Sequence, residues 1–401
     1  MSRDRHTPVT FDAHEGGTED VAKQKNADAA LPAAVAPVPN QRDAARSSRP
    51  TKKRLPSALP RRPTMADVAK HAGVSSTTVS FVINDRPGSG IPPETRDRVL
   101  AAVEALAFRP NQQARSLALR RTQTVGFVGD GVAGTPFAGR AISGAHDAAR
   151  HHGSLLLIAT SAKEPKQVRH AIDELLERQV DSMVFAAVGT RRVNLPEEIG
   201  RVPTVLINCY SEGDRFPSVL PDEETGGRSA ARLLLDAGHR RVAYLAGLPG
   251  SWATRRRLKG FRTELHAAGV PDEDVSVLFG DFHSETGYEL ARKILTTRNV
   301  PTALFCGNDR MALGAYFAVL EQGLSIPRDV SVVGYDDQEE LAAGMYPALT
   351  TIGLPDYEMG RLAVEHIFAG DVGAMPGRSY VACTPVLRES LGPPRDAGSA
   401  S

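Results

Sequence analysis

Four short polar segments, each directly downstream of an apolar run, carry the side chains in this chain best suited to hold a small molecule. After Tyr244-Leu-Ala-Gly comes a stretch with Trp252 and Arg255, and after Phe279-Gly come Asp281 and Phe282. Asn308 and Asp309 follow Phe305-Cys-Gly; Tyr335, Asp336 and Asp337 follow Val333-Gly. An arginine fork, an amide, carboxylates and aromatic faces can hydrogen-bond vicinal hydroxyls and stack on a sugar ring. Asp336 and Asp337 are also placed to cap a helix, and Arg256 and Arg257 read as surface charge. Recognition is the chemistry on offer: there is no Gly-x-Ser-x-Gly elbow, no His-Glu-x-x-His pair and no phosphate loop, so an enzyme is not expected. Gly129-Asp130-Gly131-Val132-Ala133-Gly134 matches a dinucleotide fingerprint, but the next apolar run, Leu155 to Ile158, ends without the acidic residue that would hold a ribose. No cofactor is expected. Cys209, Cys306 and Cys383 lack metal-ligand spacing and read as free buried thiols in a reducing compartment.

A second set of polar residues lies at 64–84. Met65, Val68, Ala69 and Ala72 recur at helical spacing, Gly73 supplies a helix stop, and Val74 is placed to fill the gap before a second helix. Ser75 or Ser76 can cap that helix, whose buried stripe is Val79, Val82 and Ile83. Its outward face, Ser76, Thr77, Ser80, Phe81 and Asn84, suits base edges, thymine methyls and phosphates. Two short helices and a tight turn form the unit that lays a helix in the DNA major groove. A third helix from Glu94 to about Ala107, with Val99, Leu100, Val103 and Leu106 on its apolar face, completes a small core. Pro110 breaks it, and the short polar segment that follows is too short to be a stable helix alone, so it is a candidate for folding on DNA.

The elements that must position the first set are apolar strand-like runs at 124–128, 154–158, 182–185, 204–207, 241–245, 275–278, 303–306 and 330–333, alternating with amphipathic helices. That order predicts parallel sheets covered on both faces, in two lobes, with ligand beyond the carboxyl ends of the strands.

Residues 64 to about 390 resemble the LacI/GalR family of bacterial transcriptional regulators: Asp67-Val-Ala, Gly73-Val-Ser, Thr78-Val-Ser, Glu94-Thr-Arg, Arg109-Pro-Asn and Ala114-Arg-Ser-Leu fall in family order and spacing. The resemblance implies an all-α helix-turn-helix DNA-binding head at 61–109, a hinge helix at 110–122 and an α/β two-lobed, periplasmic-binding-protein-like effector domain at 123–391. Lobe one would take about 123–210 and 347–370, and lobe two about 211–346 and 371–391. Crossings are expected near Asn208 to Glu212, near Tyr346 to Thr351 and near Gly370, with a last strand from Tyr380 to Arg388 in lobe two. The DNA-binding set becomes Thr64, Ser75, Ser76, Thr77, Thr78, Ser80, Phe81 and Asn84 in the head, with Asn111, Ala114, Arg115 and Leu117 in the hinge. Leu117 would wedge between base pairs at the operator centre. In the family the positions of Arg255, Asn308 and Asp336 contact the effector, that of Phe282 packs on it and that of Phe137 is a first-lobe aromatic; Trp252 joins them as an effector-site candidate. The implied protein is a repressor, a homodimer on a pseudo-palindromic double-stranded operator, controlled by a small effector such as a sugar; both induction and corepression are open. Phe81 departs from the polar or basic residue often found there, and the loop from Arg86 to Pro93 is longer than the shortest family versions.

Charge agrees. Residues 52–121 hold thirteen basic side chains against five acidic ones, a local +8 in a chain of net charge +1. Residues 1–60 mix charged, alanine/proline and serine-rich stretches without a period and are expected to be disordered, as is a tail at 392–401. No apolar stretch approaches the roughly eighteen residues of a membrane span and the start lacks a signal pattern, so a cytoplasmic location with no membrane partner is expected. An exported sugar-binding protein would have no use for 64–122, and a doubly wound nucleotide-binding enzyme would need a catalytic set.

Overall fold

The computed structural model of the chain describes residues 63–109, 121–131, 135–162, 164–370 and 372–395. The expectations for the N-terminal sixty residues, for the hinge residues Asn111, Ala114, Arg115 and Leu117, and for most of the C-terminal tail lie outside them.

The head begins with α1 (Met65–Ala72), opened by a capping box: the Thr64 hydroxyl accepts from the Asp67 amide while the Asp67 carboxylate accepts from the Thr64 amide at 2.7 Å. Gly73 closes α1 in the left-handed region at φ 66°. Ser75, of the two serines, caps α2 (Ser76–Ile83) by accepting from the Thr78 amide at 3.1 Å. With α3 (Pro93–Ala105) these helices enclose Val68, Ala69, Ala72, Val79, Val82, Val99, Ala102 and Phe108. The helical spacing of 99, 102, 103 and 106 turns Leu100 off this face; it is 47% exposed, against expectation, and Phe108 supplies the missing apolar volume.

Two six-stranded sheets follow. The first has the order β11-β5-β4-β3-β1-β2, built from β1 (Thr124–Asp130), β2 (Leu155–Ser161), β3 (Ser182–Arg192), β4 (Thr204–Tyr210), β5 (Ser218–Asp222) and β11 (Arg378–Ala382). In the second, β12-β10-β9-β8-β6-β7, the strands are β6 (Val242–Ala246), β7 (Val275–Phe279), β8 (Ala303–Cys306), β9 (Ser331–Asp336), β10 (Thr350–Gly353) and β12 (Thr384–Val386). All pairings are parallel except β10 with β12. Burial on both faces accounts for the continuous apolar runs: every residue of β1 and of β6 is buried.

Helices cover both faces of each sheet. On lobe one, α4 (Pro136–His151) and α11 (Asp356–Phe368) pack together on one face and α5 (Pro165–Glu177) on the other. On lobe two, α6 (Glu223–Asp236) pairs with α7 (Trp252–Ala267), and α8 (Ser284–Leu295) with α9 (Asp309–Glu321), while the short α10 (Glu339–Gly344) packs on α9. Each of the three pairs touches backbone to backbone through reciprocal glycines. A Cβ at Gly144 would strike the Tyr357 carbonyl and one at Gly360 the Ala141 carbonyl; Gly227 and Gly260 do the same between α6 and α7, and Gly287 and Gly314 between α8 and α9.

The lobe boundaries differ from the expected ones. The β5 strand pairs with β4, and β11 with β5, so Ser218–Asp222 and Arg378–Ala382 belong to lobe one rather than lobe two. The chain therefore crosses at Asp222 and Glu223, at Leu354 and Pro355, and at Cys383, each later than expected. Tyr380 to Arg388 is not one strand: it divides at Cys383 between the two sheets. No helix among the described residues is long and apolar enough to cross a membrane.

Candidate functional site

On the head, Ser76, Thr77 and Asn84 are exposed, and Thr78, Ser80 and Phe81 are half-buried along the same helix. The hydroxyls of Thr64 and Ser75 are committed to caps, and the Asn84 side-chain amide donates to the Ser80 carbonyl at 2.8 Å. Phe81 does not stand alone: the Arg86 guanidinium lies 4.7 Å from its ring centroid, which brings a cation onto the recognition face from the long loop. Arg96 holds Asp85 at 2.5 Å, fixing the end of α2 against α3.

Between the lobes lies a cavity of about 570 Å³, within the range of small-molecule sites. Trp252, Arg255, Phe282, Asn308 and Asp336 all line it, from four separate post-strand segments, and Ala186 to Arg192, Asn208 and Tyr210 form the lobe-one wall. Phe137 falls in the first turn of α4 on that lobe; its side chain is outside the described set.

The centre of the site is a buried ionic network. Arg257, 3% exposed, donates to both oxygens of Glu223 at 2.7 and 3.0 Å, to the Gly307 carbonyl at 2.6 Å and toward Asp336 at 3.5 Å, with its guanidinium 3.5 Å from the centroid of the Tyr335 ring. Arg257 is thus no surface charge; it ties the start of α6 to the ends of β8 and β9. Burial opposes its charge, but Glu223, Tyr335 and Asp336 facing it outweigh that and hold its pKa well above the ordinary value. Glu223 takes the two-pronged contact, and burial drives the Asp336 carboxyl well up from its ordinary value against the pull of Arg257. Asp336 sits at φ 104° and does not cap a helix; Asp337 turns instead to Arg388 at 2.7 Å.

Asn308 has two roles. Its side-chain oxygen caps α9 by accepting from the Met311 amide at 2.9 Å, and its amide donates to the Phe282 carbonyl at 3.1 Å, which leaves one N–H for a ligand. Phe282, at φ 72°, lays its ring over Gly247, where a Cβ would collide with it. Arg255 is exposed to the cavity, and its guanidinium has no partner among the described residues. Across the cleft, Trp252 meets Tyr210 at 5.4 Å between centroids, and Arg378 lies 4.1 Å over Tyr210. Asp222 caps α6 through Thr225 at the first crossing.

Sequence reasoning missed the lobe-one polar wall. Arg191 pairs with Asp130, which also accepts from Ser161 at 2.8 Å, and Thr190 donates to Asn208 at 2.5 Å. Asp130, inside the nucleotide-like motif, is thereby a buried ion-pair partner. The three cysteines are buried, and desolvation raises their thiols, that of Cys209 to about 12. Among the described residues no cluster of His, Cys, Asp and Glu could hold a metal ion.

Paired parallel-sheet lobes closing on one cavity, linked by three crossings, define a ligand-binding fold of the periplasmic-binding-protein type, here preceded by a helix-turn-helix head. The family model for bacterial regulatory proteins of the lacI family matches residues 64–111, and that for periplasmic binding proteins and the sugar binding domain of the LacI family matches residues 122–373. The chain belongs to the LacI family of bacterial regulatory proteins, non-enzymatic DNA-binding repressors regulated by an effector. It is 33% identical over 334 residues to the ribose operon repressor of Haemophilus influenzae, covering 82% of this chain and 98% of that protein. With catabolite control protein A of Priestia megaterium it shares 32% identity over 303 residues, 75% of this chain and 90% of that one. The crystal structure of the lac repressor dimer bound to operator and the anti-inducer ONPF superposes with a TM-score of 0.66 at 27% identity, covering 83% of this chain and all of that one.

Proposed function

We propose that this protein is a cytoplasmic homodimeric repressor that reads a pseudo-palindromic operator and takes a sugar as its effector. The observation that carries the sugar reading is the convergence of Arg255, Asn308, Asp336 and Phe282, from four post-strand segments, on one interlobe cavity. A carboxyl group, an amide N–H, a guanidinium fork and an aromatic face offer hydrogen-bonding groups and a stacking surface to a polyol. Relatives named as ribose operon repressors, and a similar solved structure described as a CelR–cellobiose complex, support a sugar without naming one.

In this reading, Ser76, Thr77, Ser80, Phe81 and Asn84 face the major groove, with Thr64, Ser75 and Thr78 ordering the helix ends at the phosphates. Residues Asn111, Ala114, Arg115 and Leu117 fold as the hinge, Leu117 entering the minor groove. Sugar in the cavity rotates one lobe on the other about the three crossings and changes the probability that the hinge pair folds; a coupling of about 1–3 kcal/mol alters operator affinity roughly 5- to 150-fold.

The test begins with selection of bound genomic fragments by the purified protein, followed by titration of sugars against the recovered operator at fixed salt. A pseudo-palindrome and a sugar-dependent change in affinity are expected, with Arg255→Ala losing the sugar response and retaining operator binding without sugar. A normal response in that variant removes the site assignment, and unchanged operator affinity in Leu117→Ala removes the wedge.

A further inference from the structure

Five arginines line the interlobe cavity, against three carboxylates, Glu223, Asp336 and Asp356. Three of the five are committed to protein partners: Arg257 to Glu223, Arg191 to Asp130, and Arg192 to Glu212 at 3.1 Å. The other two, Arg255 in the first turns of α7 and Arg310 at the second position of α9, are exposed and have no side-chain partner among the described residues. Both stand near the positive ends of their helices, which adds to the local potential.

The carboxylates do not answer these two cations. Glu223 is saturated by Arg257. Asp336 and Asp356 are buried, Asp336 is turned to Arg257 at 3.5 Å, and neither forms an ion pair with Arg255 or Arg310 among the described residues. A neutral sugar can accept hydrogen bonds from the Arg255 and Arg310 guanidinia through its hydroxyls but leaves their two positive charges without a counter-charge. A phosphate or carboxylate group would meet them in the fork geometry that guanidinium prefers.

From this unbalanced pair of guanidinium groups we infer that the effector is an anionic sugar derivative, a sugar phosphate or a sugar acid, whose charged group is held by Arg255 and Arg310. The inference rests on the sugar reading above and narrows it. A phosphorylated and a carboxylated ligand share the recognising chemistry, and paired probes separate them.

Isothermal titration of the full-length protein with glucose, glucose 6-phosphate, gluconate, ribose, ribose 5-phosphate and inorganic phosphate tests it. At least one anionic sugar is expected to bind ten-fold or more tightly than its neutral parent, with affinity falling as salt is raised, and Arg310→Gln is expected to cut that preference below about three-fold. Arg310 is exposed, so this variant should fold, which its thermal transition checks. Neutral parents binding as tightly as their anionic derivatives, in wild type and Arg310→Gln alike, overturn the inference and leave the sugar reading standing. Inorganic phosphate binding as tightly as the sugar phosphates, and weakening in Arg310→Gln, supports the anion site and removes the sugar reading. Binding by none of the six overturns both.

Discussion

Arg255, Arg256 and Arg257 are consecutive on one helix and have three different surroundings, because each step turns the side chain by about 100°. Arg255 faces the cavity, Arg256 pairs with Glu224 at 3.1 Å and covers Trp252 at 4.7 Å, and Arg257 points into the lobe to meet Glu223. Their substitutions should separate accordingly. Arg257→Met leaves Glu223 and Asp336 buried without their cation, and breaking a buried pair from one side costs about 3–5 kcal/mol; urea unfolding should show a large drop in midpoint. Arg255→Ala, at an exposed position with no protein partner, should stay within about 0.5 kcal/mol of wild type while losing the ligand response. Equal stability of the two variants would place Arg257 outside the network. Arg256 and Arg257 read as surface charge, and only Glu223, thirty-four positions earlier in the chain, shows why one of them is inside. By contrast Arg255, Asn308, Asp336 and Phe282 were legible because each follows an apolar run in a parallel-sheet pattern, where ligands collect.

At the scale of elements, the reciprocal glycines decide how closely helices can approach. Gly360→Val would drive a branched side chain into the Ala141 carbonyl on α4, and since the obstacle is backbone the helices must separate. A loss of about 1–3 kcal/mol is expected, read as a lowered thermal midpoint, whereas Gly139→Val on the same α4, where nothing lies within 4 Å of a Cβ, should be neutral or slightly stabilising, because valine has the better helix propensity. Similar losses at both positions would mean that the close helix–helix contact does not set the cost. These pairings were invisible in sequence, as was the lobe assignment of β5 and β11. Ser218–Asp222 is interrupted by Pro221 and ends on Asp222, so it lacks the unbroken apolar run of β6; its neighbour β11 arrives about 160 residues later. Local pattern locates strands, but parallel order is set by crossovers whose length it does not encode. The head was legible nearly to the residue, since its caps, turn glycine and apolar spacing are all local signals; Leu100 failed because a hydrophobic residue beside a helical stripe is not on it.

Across the whole molecule, buried carboxyls gather where the lobes meet. Asp356 opens α11 beside the second crossing, and Asp309 accepts from the Gln338 amide at 2.7 Å and the Thr351 hydroxyl at 2.6 Å, joining α9 to the segment after β9 and to β10. Arg140 of lobe one reaches Asp337 of lobe two at 3.8 Å. Desolvation raises Asp309 and Asp356 from 3.8 to about 7. For each, the folded state binds more protons than the unfolded state between about pH 4 and 7, so the stabilisation present at low pH is lost as pH rises through the folded value. His239 and His366 work in the opposite sense below about pH 6.5, because burial lowers both and the unfolded state takes up their protons first. Asp309→Asn removes one carboxyl titration and leaves the histidines unchanged, so the difference between wild type and variant isolates that group. Wild type should gain on the variant by about 2 kcal/mol as pH falls from 8 to 5.5, most of it below pH 7. Paired thermal or urea melts across that range measure the gain. A difference that stays flat would mean that the Asp309 carboxyl remains ionised throughout, held by the Gln338 amide and Thr351 hydroxyl strongly enough to outweigh its burial.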